Sequence, residues 1–172
     1  EDPSLLKCLQ NLAYDQFYCE HIYVFSTLSL REVLKNFKLE IFDVENTKTH
    51  GGSNRYYIKK NINSLYKISN RVKIEIKKEL QFGINKFSTY QTFAKKVKIS
   101  KNKLLKIFSS LSKKKLRIVG YGATAKSCTV LNYCGLGKND IKYFYDTTSY
   151  KVNKYLPGSK ILIKKYKKLN RK

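Results

Sequence analysis

The chain has 172 residues, enough to bury a hydrophobic core in one domain with at most a small appendage. Its net charge of +24 suits an anionic partner such as nucleic acid. The basic residues are 31 Lys and only five Arg, however, and Asn and Ile are also abundant. Because phosphate recognition favours Arg, we interpret the charge as compositional bias. No zinc-finger, RNA-recognition or helix-turn-helix pattern supports nucleic acid as the main partner.

The four cysteines form no Cys-x-x-Cys pair and have no His at zinc-finger spacing, so we expect reduced thiols and no metal site. No signal peptide or apolar stretch of membrane length is present, which predicts a cytoplasmic location without a membrane partner. The chain contains no Met and opens on Glu1-Asp2-Pro3, so we expect it to be a piece of a longer polypeptide.

The first sixty residues predict a helix followed by a second helix and a hairpin. Residues 5–12 form a weak helical segment, and Ser29 with Glu32 resembles a capping box that opens a helix extending to Phe37. Residues 39–44 and 55–58 are strand-like, and residues 50–53 form the turn between them.

A dense group of polar and aromatic side chains lies between the two predicted N-terminal helices. It contains Tyr18, Glu20 and His21. Histidine exchanges protons near neutral pH and a tyrosine hydroxyl can donate to an oxyanion, which favours acid–base chemistry. A structural His in a turn, with Glu20 as a surface charge, is the alternative interpretation. The sequence leaves open whether Glu20 reaches His21.

Two long helices are predicted next. The spacing of Leu65, Ile68, Val72, Ile76 and Leu80 is helical, and Gly83 ends the pattern. Apolar residues from 90 to 111 mark the second helix, whose Lys-rich opposite face we interpret as solvated.

Residues 116–146 predict the first half of a nucleotide-binding βαβ unit. A strand at 116–120 leads into Gly120-x-Gly122-x-x-Ala125, a helix reaches Cys134 and stops at Gly135, and a strand at 141–145 ends on Asp146. A helix that opens at such a turn can hold a phosphate with backbone N–H groups, and Lys126 could add a charge. A tight turn that binds nothing is the alternative. A further strand is predicted at 161–163, and the tail from Lys164 is expected to be frayed.

Four stretches in order resemble the C-terminal region of the S-adenosylmethionine-dependent sugar C-methyltransferases, which act on nucleotide-linked keto-deoxysugars. They are Glu1-Asp2-Pro3; residues 14–26 with Tyr-Asp-Gln and Glu-His; His50-Gly51-Gly52-Ser53 with Arg55; and residues 120–158 with the glycine turn, Asn132-Tyr133-Cys134-Gly135, Asp146-Thr147-Thr148, Lys151 and Pro157-Gly158.

The resemblance implies a protein of three parts. A zinc-binding N-terminal domain and a methyltransferase domain that binds S-adenosylmethionine would precede a C-terminal α/β domain that helps bind the sugar nucleotide. Residues 1–163 would be this last domain, with 1–60 as the junction to the missing methyltransferase domain and 164–172 as a Lys-rich tail. Cofactor and zinc would be bound outside this chain, which we expect to be inactive alone.

The resemblance also implies residue roles. His21 looks like the general base that removes a proton beside the keto group. Tyr18 and Glu20 look like its supporting neighbours, with Tyr18 stabilising the enolate oxygen. The implied substrate-binding residues are His50, Ser53, Arg55, Gly120, Tyr121, Gly122, Ala123, Lys126, Asp146 and Lys151.

The predicted fold class is therefore α/β: a Rossmann-like βαβ three-layer domain with an N-terminal helix/hairpin segment and two long helices. Two other functions remain alternatives. An NAD(P)-dependent oxidoreductase fragment would use the glycine turn and Asp146, although no Tyr-x-x-x-Lys set follows. A basic nucleic-acid-binding domain would bind with a steep salt dependence.

Overall fold

The computed structural model describes residues 1–63 and 65–167, which form a mixed α/β fold with two three-stranded sheets and five α-helices. The chain divides into two compact units, residues 1–96 and 97–172. The prediction of one family domain over 1–163 concerns the organisation of the whole protein and stays a prediction.

The first unit is built on an antiparallel sheet with the strand order β1-β3-β2. Strands β2 and β3 pair from Leu39 opposite Lys60 to Thr47 opposite Ser53, with a bulge between Ile41 and Asp43. This confirms the predicted hairpin. The elements in chain order are β1 (Asp2–Pro3), α1 (Leu5–Gln10), α2 (Thr27–Lys35), β2 (Leu39–Thr47), β3 (Ser53–Lys60), α3 (Asn70–Phe82) and the start of α4 (Phe87–Lys113).

Two helix starts differ from the sequence prediction. The N-cap of α2 is Ser26, whose side chain accepts the N–H of Ser29 while the Ser29 side chain accepts the N–H of Ser26. The capping box is therefore real but begins three residues before the predicted Ser29. Helix α3 begins at Asn70 instead of residue 65, because the N–H of Ser69 donates to the Phe42 carbonyl and holds the preceding chain against β2.

Two hydrophobic clusters stabilise this unit. The larger joins α2, β2 and α3, and contains Leu34, Ile41, Val44 and Val72. The smaller joins α1 to the chain after α3 and contains Leu6, Leu9 and Ile84. Helix α3 ends where predicted, because Gly83 takes a φ of 89° and its N–H closes the last turn.

The second unit contains a parallel sheet with the order β4-β5-β6. Its core joins the sheet to α4 and α5 and includes Phe144, Leu131, Leu156 and the fully buried Ile161. Because α5 lies between parallel neighbours β4 and β5, the predicted βαβ connectivity is confirmed. The elements are the end of α4, then β4 (Gly120–Tyr121), α5 (Ala125–Cys134), β5 (Phe144–Asp146) and β6 (Ile163–Lys165).

Strands β4 and β5 are shorter than predicted, β6 has the predicted length, and all three end later than predicted. Pairing with the β5 segment begins where the Lys142 N–H donates to the Ile118 carbonyl at 3.0 Å. Strand β6 includes Lys164 and Lys165, which corrects the expectation of a frayed tail from residue 164. Residues 168–172 of the predicted tail lie outside the described residues.

No helix in residues 1–63 and 65–167 combines the length and apolar character that crossing a membrane requires.

Candidate functional site

His21 lies in the segment between α1 and α2, next to a short 3₁₀ turn at Tyr14–Gln16. Its backbone N–H donates to the Tyr18 carbonyl at 2.8 Å, which brings the two side chains together. The Tyr18 hydroxyl lies 3.4 Å from His21 Nε2, and the ring centroids are 4.3 Å apart.

The other ring nitrogen of His21 faces a group that can only accept a hydrogen bond. Nδ1 lies 2.9 Å from the backbone carbonyl oxygen of Gln16. Nδ1 therefore carries the proton and donates it to the carbonyl, which leaves the lone pair of a neutral ring on Nε2. A base with its lone pair on Nε2, beside a hydroxyl donor, is suited to take a proton from carbon while the hydroxyl stabilises the oxyanion that forms.

Tyr18 remains protonated in this arrangement. Burial raises the pKa of its hydroxyl, and the negative charge of nearby Glu20 raises it further. Glu20 itself is exposed and forms no hydrogen bond or ion pair with the rest of the described chain. The partner that orients His21 is thus the Gln16 carbonyl, and Glu20 acts on the site through its charge on Tyr18.

His50 approaches His21 from the turn between β2 and β3. The two imidazole centroids are 5.4 Å apart, with the rings nearly perpendicular. His50 has a φ of 54°, and Gly51 and Gly52 follow with positive φ values. A Cβ on Gly52 would lie 2.8 Å from the Lys7 side chain, so this position requires glycine for both its conformation and its space.

Ser53 and Arg55 have structural partners in the same hairpin. The Ser53 hydroxyl is buried and donates to the Thr49 carbonyl at 2.9 Å. Arg55 pairs with Glu1 at 2.7 Å, and the hydrogen bond from Arg55 is the main cause that lowers the pKa of Glu1 to about 2. Of the substrate-binding residues predicted in this unit, the structure therefore brings His50 to His21, while Ser53 and Arg55 stabilise the hairpin.

The second predicted site is the glycine turn between β4 and α5. A Cβ on Gly120 would overlap the Phe144 ring, and Gly122 has a φ of 84°. The Thr124 hydroxyl caps α5 by accepting the Ser127 N–H at 3.1 Å. This turn is the strand-to-helix junction that the sequence predicts, and Lys126 lies in the first turn of α5. Tyr121 is exposed and contacts the Tyr166 ring.

Asp146 closes this turn from the end of β5. One carboxylate oxygen accepts the Ala123 N–H at 2.8 Å, and the other accepts the Thr148 N–H at 2.8 Å. The ammonium of Lys151 lies 3.5 Å from the carboxylate and donates to the Ala123 carbonyl at 2.9 Å. Asp146 and Lys151 thus both bind the backbone of the turn.

The electrostatics of Asp146 follow from these contacts. Burial alone would raise the pKa of its carboxyl, but the Thr148 and Ala123 hydrogen bonds and the charge of Lys151 outweigh burial and lower the pKa to about 2. Asp146 is only 5% exposed. An acid that binds a ribose hydroxyl must present free oxygens to the ligand, so this geometry counts against the dinucleotide interpretation.

The sequence missed two participants. Gln16 and Thr148 belong to the stretches that carry the resemblance, but Gln16 contacts His21, and Thr148 contacts Asp146, through a backbone group, which no residue pattern reports. In the described part of the chain, no group of three or more His, Cys, Asp or Glu side chains is arranged to hold a metal ion.

Comparison with known proteins agrees with the resemblance. Residues 48–172 match the family model described as the C-methyltransferase C-terminal domain. The chain is 30% identical over 163 residues to the C-methyltransferase NovU of Streptomyces niveus, which covers 95% of this chain and 39% of that protein. The chain thus spans about two fifths of the length of the curated relative it matches. It belongs to the family of C-methyltransferase C-terminal domains.

Proposed function

We propose that this chain is the C-terminal part of an S-adenosylmethionine-dependent methyltransferase that alkylates a carbon of a nucleotide-linked keto-deoxysugar. The observation that carries the proposal is the His21 ring, whose Nδ1–H is held by the Gln16 carbonyl so that Nε2 faces the Tyr18 hydroxyl. A carbon methylation beside a ketone needs such a base and an oxyanion donor, because the proton must leave before the carbon can attack.

His21 Nε2 takes the proton from the carbon beside the keto group. The Tyr18 hydroxyl donates to the enolate oxygen, and its raised pKa keeps the proton available for that hydrogen bond. Glu20 acts on the pair through its charge, which raises the pKa of Tyr18, and His50 lies beside the base. S-adenosylmethionine supplies the methyl group that the carbon receives.

The methyl donor is bound by a domain outside these residues, as is the zinc ion of the family. The glycine turn does not suit an adenosine cofactor, because the carboxylate of Asp146 is already committed to the Ala123 and Thr148 N–H groups. We assign the turn to the sugar nucleotide instead, with Gly120–Lys126 near the diphosphate and Lys151 holding the turn. Ser53, Arg55 and Asp146 shape the two sites through the contacts they make.

The same proposal includes the fold of the second unit, the location of the complete protein and the activity of this chain alone. The second unit is Rossmann-like, the complete protein acts in the cytoplasm, and the chain without the methyltransferase domain is inactive. A nicotinamide cofactor would need an exposed ribose-binding carboxylate, whereas Asp146 is buried and accepts two backbone N–H groups, so we expect no NAD(P) binding. A nucleic-acid partner would show a steep loss of binding with salt and no preference for a sugar nucleotide.

The test is solvent-proton exchange at the substrate carbon in the complete protein, followed in D₂O by NMR. His21→Gln should slow the exchange by roughly 10²–10⁴-fold, the usual contribution of a general base. Tyr18→Phe keeps the ring and removes the donor, so it should also slow exchange. Cys19→Ser is the matched control, since Cys19 is an exposed free thiol between these residues. Unchanged exchange in His21→Gln would refute the proposed base.

A further inference from the structure

Gln16 is buried where the segments of the two histidines meet. The residue is 2% exposed, although the neighbouring Phe17 is exposed. Its backbone carbonyl contacts the His21 ring, and its side-chain Nε2 donates to the backbone carbonyl of His50. A single buried amide therefore links the segment that carries His21 to the turn that carries His50.

The position of the Gln16 carbonyl is set by a short local structure. The 3₁₀ turn is held by the Gln16 N–H bond to Ala13 at 3.2 Å and the Phe17 N–H bond to Tyr14 at 3.3 Å. One turn of 3₁₀ helix has few hydrogen bonds and imperfect geometry, so it does not fix a carbonyl by itself. The bond from the Gln16 side chain to the His50 carbonyl spans 34 residues and ties this turn to the hairpin.

We propose that Gln16 is a positioning residue: its side chain anchors the 3₁₀ turn to the His50 loop, so that its carbonyl holds the Nδ1–H form of His21 and leaves Nε2 as the base. The role assigned to His21 rests on the proposed function, whereas the tautomer and its dependence on Gln16 do not.

The chain offers a clean spectroscopic test, since it contains only two histidines. The full 172-residue chain is labelled with ¹⁵N-histidine, and the ring nitrogens are read by long-range ¹H–¹⁵N NMR at a pH where the rings are neutral. His50→Gln assigns the remaining signals to His21. We expect a protonated, pyrrole-type Nδ1 and a pyridine-type Nε2 in the unsubstituted chain. A His21 with its proton on Nε2 overturns the proposal without any variant of Gln16.

The variant Gln16→Leu removes the side-chain donor at similar size. We expect the Nδ1–H form of His21 to lose its dominance and a mixture of tautomers to replace it. Gln10→Leu is the matched control, because Gln10 is an exposed glutamine in the same unit whose side chain only accepts from Lys7. Where Gln16→Leu disturbs folding by circular dichroism, Gln16→Met keeps a straight side chain of similar length, removes the donor, and is read in the same way.

Activity in the complete protein separates this inference from the proposed function. Gln16→Leu should lower kcat at least tenfold with KM nearly unchanged, and Gln10→Leu should change neither. A tautomer shift without loss of kcat supports the positioning role and refutes His21 as the base. An unchanged tautomer in folded Gln16→Leu or Gln16→Met refutes the positioning role, whatever the activity.

Discussion

Asp146→Asn tests whether the carboxylate at the end of β5 stabilises the glycine turn. The carboxylate accepts two backbone N–H groups at 2.8 Å and lies 3.5 Å from the Lys151 ammonium. Asparagine keeps one acceptor oxygen and turns an NH₂ group toward one of the two N–H donors. Hydrogen bonds to charged groups contribute about 1.5–3 kcal/mol each. Losing one and reducing the other to a neutral bond should therefore cost roughly 2–4 kcal/mol.

The assay must report on the second unit, because the chain divides into two compact units and stability is not uniform across a structure. Amide hydrogen exchange of Ala123 and Thr148, the two donors to Asp146, gives the local opening free energy directly. Both amides should exchange faster in Asp146→Asn, and the urea midpoint of the second unit should fall. Asp140→Asn is the control: Asp140 is exposed and accepts only the Gly137 N–H, so its loss should cost about 1 kcal/mol or less.

The pH dependence gives a second test of the same reasoning. The pKa of Asp146 is lowered from 3.8 to about 2 in the folded chain, so its stabilisation is present above the unfolded pKa and is lost as the pH falls through the folded value. Protection of the Ala123 amide should therefore decrease between about pH 4 and pH 2, and Asp146→Asn should lack this step. Equal protection and the same acid step in both chains would refute the closing role of Asp146.

Three further substitutions test a buried hydrogen-bond acceptor and two glycine positions. Glu79→Gln should destabilise the first unit by about 2–3 kcal/mol in urea titrations, because the buried carboxylate accepts the first two backbone N–H groups of α2, at Thr27 and Leu28. Gly120→Ala should lower the free energy of unfolding more than Gly122→Ala does, as measured by thermal melts, since only Gly120→Ala places a Cβ inside the Phe144 ring. Gly122→Ala has space but a φ of 84°, so about 1–2 kcal/mol is expected, and an equal loss in both would contradict the steric argument.

The elements that the sequence predicts well are those whose signals are local. Gly83 and Gly135 end helices α3 and α5 in left-handed conformations, and each followed an apolar period that pointed to a helix. The glycine turn before α5 was predictable because its residues are adjacent and glycine carries the conformational signal. The hairpin was predictable because two strand-like runs flank His50-Gly51-Gly52.

Features that depend on long-range contacts were not predictable. The start of α3 shifted to Asn70 because Ser69 is bound by β2, and only the folded chain brings Ser69 to Phe42. The partner of His21 is a backbone carbonyl five residues earlier, and every residue type has that group. The inward orientation of Asp146 also depends on Ala123, 23 residues away in the chain.

A sugar nucleotide and a nucleic acid are both anionic, so the salt dependence of their affinity is what distinguishes them. Residues 97–167 contain 17 Lys and Arg but only two acids, Asp140 and Asp146, and Asp146 is buried beside Lys151. Such a surface attracts any polyanion, so weak binding of nucleic acid at low salt is expected under either function.

A nucleic acid bound through many phosphate contacts should lose about 10³–10⁵ in affinity between 50 and 200 mM salt. A sugar nucleotide presents only a diphosphate and should lose far less. A ligand whose binding to the complete protein survives that change in salt, and whose proton exchange depends on His21, fits the sugar nucleotide and excludes a polyanion as the substrate.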